Sequence, residues 1–142
     1  MTRRASGSSH SGDNEGIDRR LISSGSPYEP VVGYSRAVLV GDRVFVSGSA
    51  PIMPGGADPP ADSYGQARRC LEIVAAALEQ AGGSLASVVR TRVYLTPAAD
   101  FAEVGRAHGE AFSEIRPANT TVVVAALVDP RWLVEIEAEA VL

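Results

Sequence analysis

Alternating apolar and polar residues, interrupted by turn-forming pairs, predict five β-strands in this chain. The predicted strands cover residues 37–40, 43–47, 88–95, 119–126 and 133–141. Gly41-Asp42 separates the first two runs, as in a tight β-hairpin, and Asp129-Pro130 marks a turn between the last two. The chain therefore contains a hairpin, a single strand and a second strand pair.

Apolar residues at helical spacing predict two helices, at 62–80 and 100–115. The first stripe is Ala67, Leu71, Val74, Leu78 and Ala81; the second is Phe101, Val104, His108, Ala111, Phe112 and Ile115. The element order is then ββ-α-β-α-ββ. It predicts an α+β fold, a two-layer sandwich of a mixed β-sheet with two helices on one face.

The second face of this sheet has no predicted cover within the chain. Segment 119–126 is apolar on both faces, and two helices can cover only one of them. Runs that are apolar on both faces favour cover by another subunit. We therefore expect a homo-oligomer.

Composition changes near Leu21, from Ser, Gly and charged residues to a mixed globular composition. We expect 1–25 to be a disordered N-terminal tail, because it has almost nothing to bury, and 26–142 to be one domain. The first 25 residues lack the apolar segment of a secretory signal, and no run reaches the ~20 residues of a membrane span. A cytoplasmic protein without a membrane partner is expected.

The amino-acid composition excludes several kinds of catalytic and metal-binding site. All 13 basic residues are Arg, so neither a lysine Schiff base nor a phosphate-loop lysine is available. The single Cys permits no disulfide framework and no thiolate zinc site, and no metal-ligand spacing is evident. A net charge of −4 argues against a nucleic-acid partner.

Three features could carry chemistry. His108 could act as an acid or base, although its phase with Phe112 favours a packing role. Glu135, Glu137 and Glu139 share one strand face, where a half-buried carboxylate could polarise water. Spacing alone favours a solvated stripe or an intersubunit ion pair for these three. Gly48 follows a strand, in a turn whose amides could bind a carbonyl or carboxylate.

Five stretches together resemble the Rid (YjgF) family of reactive-intermediate deaminases. They are GYSRA at 33–37, VSGSAPI at 46–52, VVRTRVYL at 88–95, RPANTT at 116–121 and LVEIEA at 133–138. Each stretch is weak alone, but their order and separations match the family over the whole predicted domain.

The resemblance implies a chorismate-mutase-like fold and a homotrimer with a central barrel and clefts between subunits. It also implies hydrolysis of an imine or enamine without a cofactor or metal. Tyr34 matches the tyrosine that closes the pocket, and Ser47 and Gly48 match the turn that lines it. Glu135 matches the glutamate that positions water, and Thr121 falls where a backbone carbonyl holds that water.

The family's carboxylate-binding arginine is replaced here by Asn119. Asparagine has no charge for a carboxylate, so activity on a generic 2-imino acid is put in doubt. Arg36 and Arg131 flank the matched stretches and could compensate. The first hypothesis is a hydrolytic deaminase of another small imine or enamine. The alternative is a non-catalytic trimer that binds a small metabolite or a partner protein in the same cleft.

Overall fold

The structure is a computed structural model, and it describes residues 18–142. Its strands and α-helices are β1 (Arg19–Ile22), β2 (Ala37–Val40), β3 (Arg43–Ser49), α1 (Ser63–Gln80), β4 (Val88–Leu95), α2 (Phe101–Phe112), β5 (Ala118–Val123) and β6 (Val134–Val141). Short helical turns at Glu29–Gly33, Pro54–Gly56 and Leu85–Ser87 connect them.

The strands form one mixed sheet in the order β1-β2-β3-β6-β4-β5. Only β4 and β5 run parallel, because α2 carries the chain back across the sheet between them. Helix α1 packs on β3 and β6, and α2 packs beside α1. The α+β sandwich predicted from the sequence is confirmed, with one additional strand at its start.

Side-chain alternation in β6 separates the two faces of the sheet. Val134, Ile136, Ala138 and Ala140 are at most 3% exposed and face the helices. The glutamates between them face the other side, which no element of residues 18–142 covers. The apolar edge strand β5 is also open, with Val122 41% and Val123 65% exposed.

Strand β1 lies inside the segment that the sequence predicted to be a tail. It pairs antiparallel with β2, Ile22 is 2% exposed in the core, and Arg20 donates a hydrogen bond to the Gln80 carbonyl at 2.6 Å. Four residues with one buried side chain are too short to show alternation, so the pattern did not reveal this strand. The part of the predicted tail at 1–17 lies outside the described residues.

Helix α2 and strand β5 both end earlier than predicted, whereas β3 continues to Ser49 instead of ending at 47. Helix α2 ends at Phe112 rather than 115, because Arg116 adopts a left-handed backbone with φ 48° and its N–H closes a turn on the Phe112 carbonyl. Strand β5 ends at Val123 rather than 126, since its partner β4 ends opposite it at Leu95. Within the described part of the chain, no helix has the length and apolar character to cross a membrane.

Candidate active site

A bulge at the end of β3 shapes the first part of the site. The pairing of β3 with β6 is regular as far as Val46 and shifts by Ser49, which leaves Ser47 and Gly48 in the irregular stretch. The Ser47 hydroxyl donates to the Ser35 carbonyl at 2.6 Å. Arg36 Nη2 donates to the Gly48 carbonyl at 2.5 Å. Segments 34–36 and 47–49 are thus held together by side-chain hydrogen bonds.

Glu135 lies against Gly48. A Cβ atom added to Gly48 would collide with Oε2 of Glu135, so the absence of a side chain there makes room for the carboxylate. Partial burial raises the pKa of Glu135; the Arg36 charge lowers it and the Glu137 charge raises it again. No side chain or backbone group of residues 18–142 makes a hydrogen bond or ion pair with this carboxylate.

The other two glutamates of the stripe are paired within the chain. Arg92 Nη1 lies 3.0 Å from a carboxylate oxygen of Glu137 and 3.0 Å from one of Glu139. The Tyr94 hydroxyl donates to Glu137 at 2.6 Å. That hydrogen bond to a carboxylate is the main reason why the pKa of Tyr94 is raised. The stripe therefore consists of two paired carboxylates, Glu137 and Glu139, and of Glu135, which has no partner among residues 18–142.

The two candidate compensating arginines differ in their surroundings. Arg36 is half-buried next to Glu135, and its buried Nε has no hydrogen-bond partner among the described residues. Arg131 is exposed and pairs with Asp129 and Asp58, each at 2.9 Å. The hydrogen bonds that Asp129 accepts from the Arg131 guanidinium and backbone N–H lower the pKa of Asp129 to about 2. The geometry thus brings Arg36, but not Arg131, to the Glu135 carboxylate.

Tyr34 follows the Glu29–Gly33 turn, and its N–H donates to the Glu29 carbonyl at 3.0 Å. The Glu29 carboxylate accepts hydrogen bonds from Ser23 and Ser24. These bonds, led by that from the Ser24 hydroxyl, lower the pKa of Glu29. The Tyr34 side chain, at the end of this hydrogen-bonded turn, is 37% exposed. Nothing in the sequence pattern indicated the role of Glu29.

Asn119 and Thr121 are not brought to Glu135 within one chain. Asn119 stands beside Thr91, whose side chain is fully buried toward the helices, whereas Glu135 stands on the uncovered face. Asn119 Nδ2 donates to Thr91 Oγ1 at 3.0 Å, and Thr121 Oγ1 donates to Asn119 Oδ1 at 3.0 Å. The two candidates are therefore joined to each other on the helix side of the edge strand.

His108 packs on the sheet. Its Nε2 lies 2.8 Å from Thr91 Oγ1, and its ring is tilted on Phe112 with centroids 4.7 Å apart. Burial lowers the pKa of His108. Sequence reasoning missed Thr91, although a polar residue at a core-facing position of an alternating strand is a usable signal. Within residues 18–142, no cluster of three metal-ligating side chains is present.

Known proteins are similar to this chain in sequence and fold. The profile of the family described as Endoribonuclease L-PSP matches residues 25–142. A RutC family protein of Pyrococcus abyssi is 40% identical over 86% of this chain and 96% of its own length.

Two solved structures are similar as well. Rv2704 of Mycobacterium tuberculosis, of the YjgF family, has a TM-score of 0.80 and 45% identity, covering 88% of this chain and 100% of that one. TdcF of Escherichia coli, solved with bound serine, has a TM-score of 0.73 and 33% identity, covering 87% and 94%. TdcF is provisionally named a reactive intermediate deaminase.

Proposed function

The chain belongs to the Endoribonuclease L-PSP family of YjgF and Rid proteins, and we propose that it is a cofactor-independent hydrolytic deaminase of a small imine or enamine. The family and the name of TdcF support a Rid-type deaminase in general. The substrate and the residue that handles water are the specific parts of the proposal.

The unpaired Glu135 carboxylate carries the proposal. It is half-buried beside Gly48, without a hydrogen-bond partner among the described residues, whereas Glu137 and Glu139 are bound to Arg92. A carboxylate with a raised pKa accepts a proton from water more readily than an ordinary one. Glu135 is therefore assigned as the base that positions and deprotonates the attacking water.

The reaction needs water as its only co-reactant. Water oxygen bonds to the carbon of the protonated imine (iminium) while Glu135 takes one of the water protons, which gives the neutral carbinolamine. Glu135 then passes this proton to the carbinolamine nitrogen and the C–N bond breaks. The hydroxyl proton goes to the departing ammonia, so that the carbonyl product and ammonium result. An enamine enters the same route because protonation at its carbon forms the same iminium.

The proposed site is completed by a second copy of the chain. The uncovered face of the sheet and the open edge of β5 provide apolar surface for an interface. A homotrimer would allow Asn119 and Thr121 of one subunit to face Glu135 of its neighbour, which their positions on opposite faces prevent within one chain. Tyr34, Ser47 and Gly48 would line this intersubunit cleft.

The substrate is proposed to be something other than a generic 2-imino acid. Asn119 offers no charge to a carboxylate, and Arg131 is occupied by two aspartates. Arg36 is the one candidate cation beside Glu135 and could bind a carboxylate from that side. TdcF, whose structure contains serine, shows that a family member can accommodate an amino acid.

We expect RNA to be a poor substrate for this chain, although the family is described as Endoribonuclease L-PSP. The net charge of −4 disfavours binding of a phosphate backbone. We place the activity in the cytoplasm, on a small molecule.

Ammonia release from imines generated in situ tests the proposal. The panel contains 2-imino acids and uncharged imines of the same skeleton, and the protein is expected to accelerate ammonia release from at least one of them. Thermal stabilisation by a small metabolite without any turnover would instead support the non-catalytic binder. The hydrogen bond that already occupies Asn119 is the observation that favours that second function.

A further inference from the structure

Four side chains form a continuous hydrogen-bonded series between helix α2 and the edge strand β5. Thr121 Oγ1 donates to Asn119 Oδ1 at 3.0 Å, and Asn119 Nδ2 donates to Thr91 Oγ1 at 3.0 Å. Thr91 Oγ1 lies 2.8 Å from His108 Nε2. We call this series the Thr121–His108 network.

The partners of Thr91 favour one state of His108. Thr91 is fully buried, and among the described residues its Oγ1 contacts only Asn119 Nδ2, from which it accepts, and His108 Nε2. The hydroxyl proton therefore has Nε2 as its one acceptor there, which favours a neutral imidazole with its proton on Nδ1. Burial, which lowers the pKa of His108 and is its only resolved perturbation, favours the same neutral form.

A proton on Nε2 of His108 would change this arrangement. His108 would then donate to Thr91, and the buried Thr91 hydroxyl would have an acceptor among the described residues only if it donated to Asn119. An amide nitrogen cannot accept that bond, so the Asn119 carboxamide would have to turn its oxygen toward Thr91. The group that Asn119 offers to its surroundings is therefore coupled to which ring nitrogen of His108 holds the proton.

We propose that His108, acting through Thr91, is a positioning residue that orients the Asn119 carboxamide and thereby sets the substrate group accepted there. In this orientation Oδ1 is engaged by Thr121, and the second N–H of Nδ2 has no partner among residues 18–142. A free N–H donor selects a substrate oxygen that accepts, such as the oxygen of a carbonyl, an amide or a hydroxyl group. The location of Asn119 in the substrate cleft rests on the proposed function.

Two matched pairs of variants test the Thr121–His108 network. His108→Phe keeps an aromatic ring and removes the acceptor, while His108→Gln keeps an acceptor at the end of the side chain. Thr91→Val removes the hydroxyl and keeps the shape, while Thr91→Ser keeps the hydroxyl. All four are compared with the wild type in the full chain, with circular dichroism as the check of folding.

Nitrogen-15 NMR tests the orientation independently of activity. Wild-type His108 is expected to be neutral with an unprotonated Nε2. The Asn119 carboxamide signals, assigned by their loss in Asn119→Ala, are expected to shift in His108→Phe and Thr91→Val and to return in the Gln and Ser variants. A protonated Nε2, or Asn119 signals that are the same in all four variants, overturns the proposal.

Kinetics with any imine that the wild type hydrolyses tests the role in recognition. Loss of one oriented donor is expected to raise KM about threefold to tenfold in His108→Phe with kcat nearly unchanged, and His108→Gln should restore KM. An unchanged KM in a variant whose Asn119 signals have shifted overturns the assignment of substrate specificity. If the wild type hydrolyses no imine, the proposed function fails, while the NMR result still decides the orientation.

Discussion

The Glu135 carboxylate occupies the space that a side chain on Gly48 would fill. The backbone of Gly48 in turn accepts a hydrogen bond from Arg36, whose charge lowers the pKa of Glu135. One glycine therefore admits the carboxylate and links it to its neighbouring cation.

Gly48→Ala should abolish most activity with little loss of stability. The added methyl group meets the far end of a flexible side chain, so Glu135 can move aside at a cost below about 1 kcal/mol in the free energy of unfolding. Displacing the base by about 1 Å can cost on the order of 100-fold in rate. Turnover and urea unfolding measure the two effects.

Gly105→Ala is the control for that substitution. Gly105 lies within α2, and a Cβ there meets nothing within 4 Å, so alanine should raise the free energy of unfolding by about 0.5–1 kcal/mol and leave turnover intact. Equal activity of the Gly48→Ala protein and the wild type would show that the position of Glu135 does not matter.

Glu135→Gln should stabilise the protein at neutral pH. The folded state raises the pKa of Glu135, so it binds this proton more tightly than the unfolded chain does. The wild type therefore loses stability as pH rises from the unfolded pKa through the folded one, and the variant does not. Unfolding followed between pH 4 and 8 should give diverging curves. Parallel curves would contradict the raised pKa.

Arg36→Met should move the acid limb of the pH–rate profile to higher pH. Removing the guanidinium removes the charge that lowers the pKa of Glu135, so the base becomes ionised only at higher pH. Arg36→Lys keeps the charge and should leave the limb near its original position. Arg131→Met is the matched control, because that arginine pairs with Asp129 and Asp58 instead. An equal shift in both Met variants would refute the assignment.

Glu29→Gln should loosen the turn that precedes Tyr34. Its carboxylate accepts hydrogen bonds from Ser23 and Ser24, and their loss should cost about 1 kcal/mol in unfolding free energy. Because the pKa of Glu29 is lowered on folding, this stabilisation exists above the unfolded pKa and disappears as pH falls through the folded one.

Urea unfolding at pH 7 and at low pH measures that effect, with exposed Glu79→Gln as the control. We also expect a higher KM in Glu29→Gln if Tyr34 closes the pocket. A difference from wild type that persists at low pH would contradict the role of the ionised carboxylate.

Val122→Glu should dissociate the proposed homotrimer. Val122 is 41% exposed on the open face of the edge strand, where a charge would be buried in the interface. Sedimentation velocity should show trimers for the wild type and smaller species for the variant. Val128→Glu, at a loop position that is 92% exposed, should remain trimeric. A monomeric wild type at micromolar concentration would contradict the assembly.

The layers of the fold could be predicted from the sequence, whereas the side-chain pairing around the candidate site could not. Long periodic segments such as β4 and α1 were placed almost to the residue, because their faces are set by burial. Strand β1 was missed, since its pairing with β2 depends on tertiary contact. The spacing of the three glutamates did not show which of them are paired, because their pairing depends on Arg92 and Tyr94 lying across from β6.

Ammonia release by Glu135→Gln compared with Glu139→Gln tests the central claim most directly. Both substitutions remove one charge from the same strand face, but Glu139 is bound to Arg92 and Glu135 is unpaired among the described residues. We expect Glu135→Gln to lose at least about 100-fold in turnover of an imine that the wild type hydrolyses, and Glu139→Gln to keep most of it. Equal rates in the two variants, or a fully active Glu135→Gln protein, would contradict the role of Glu135 as the base.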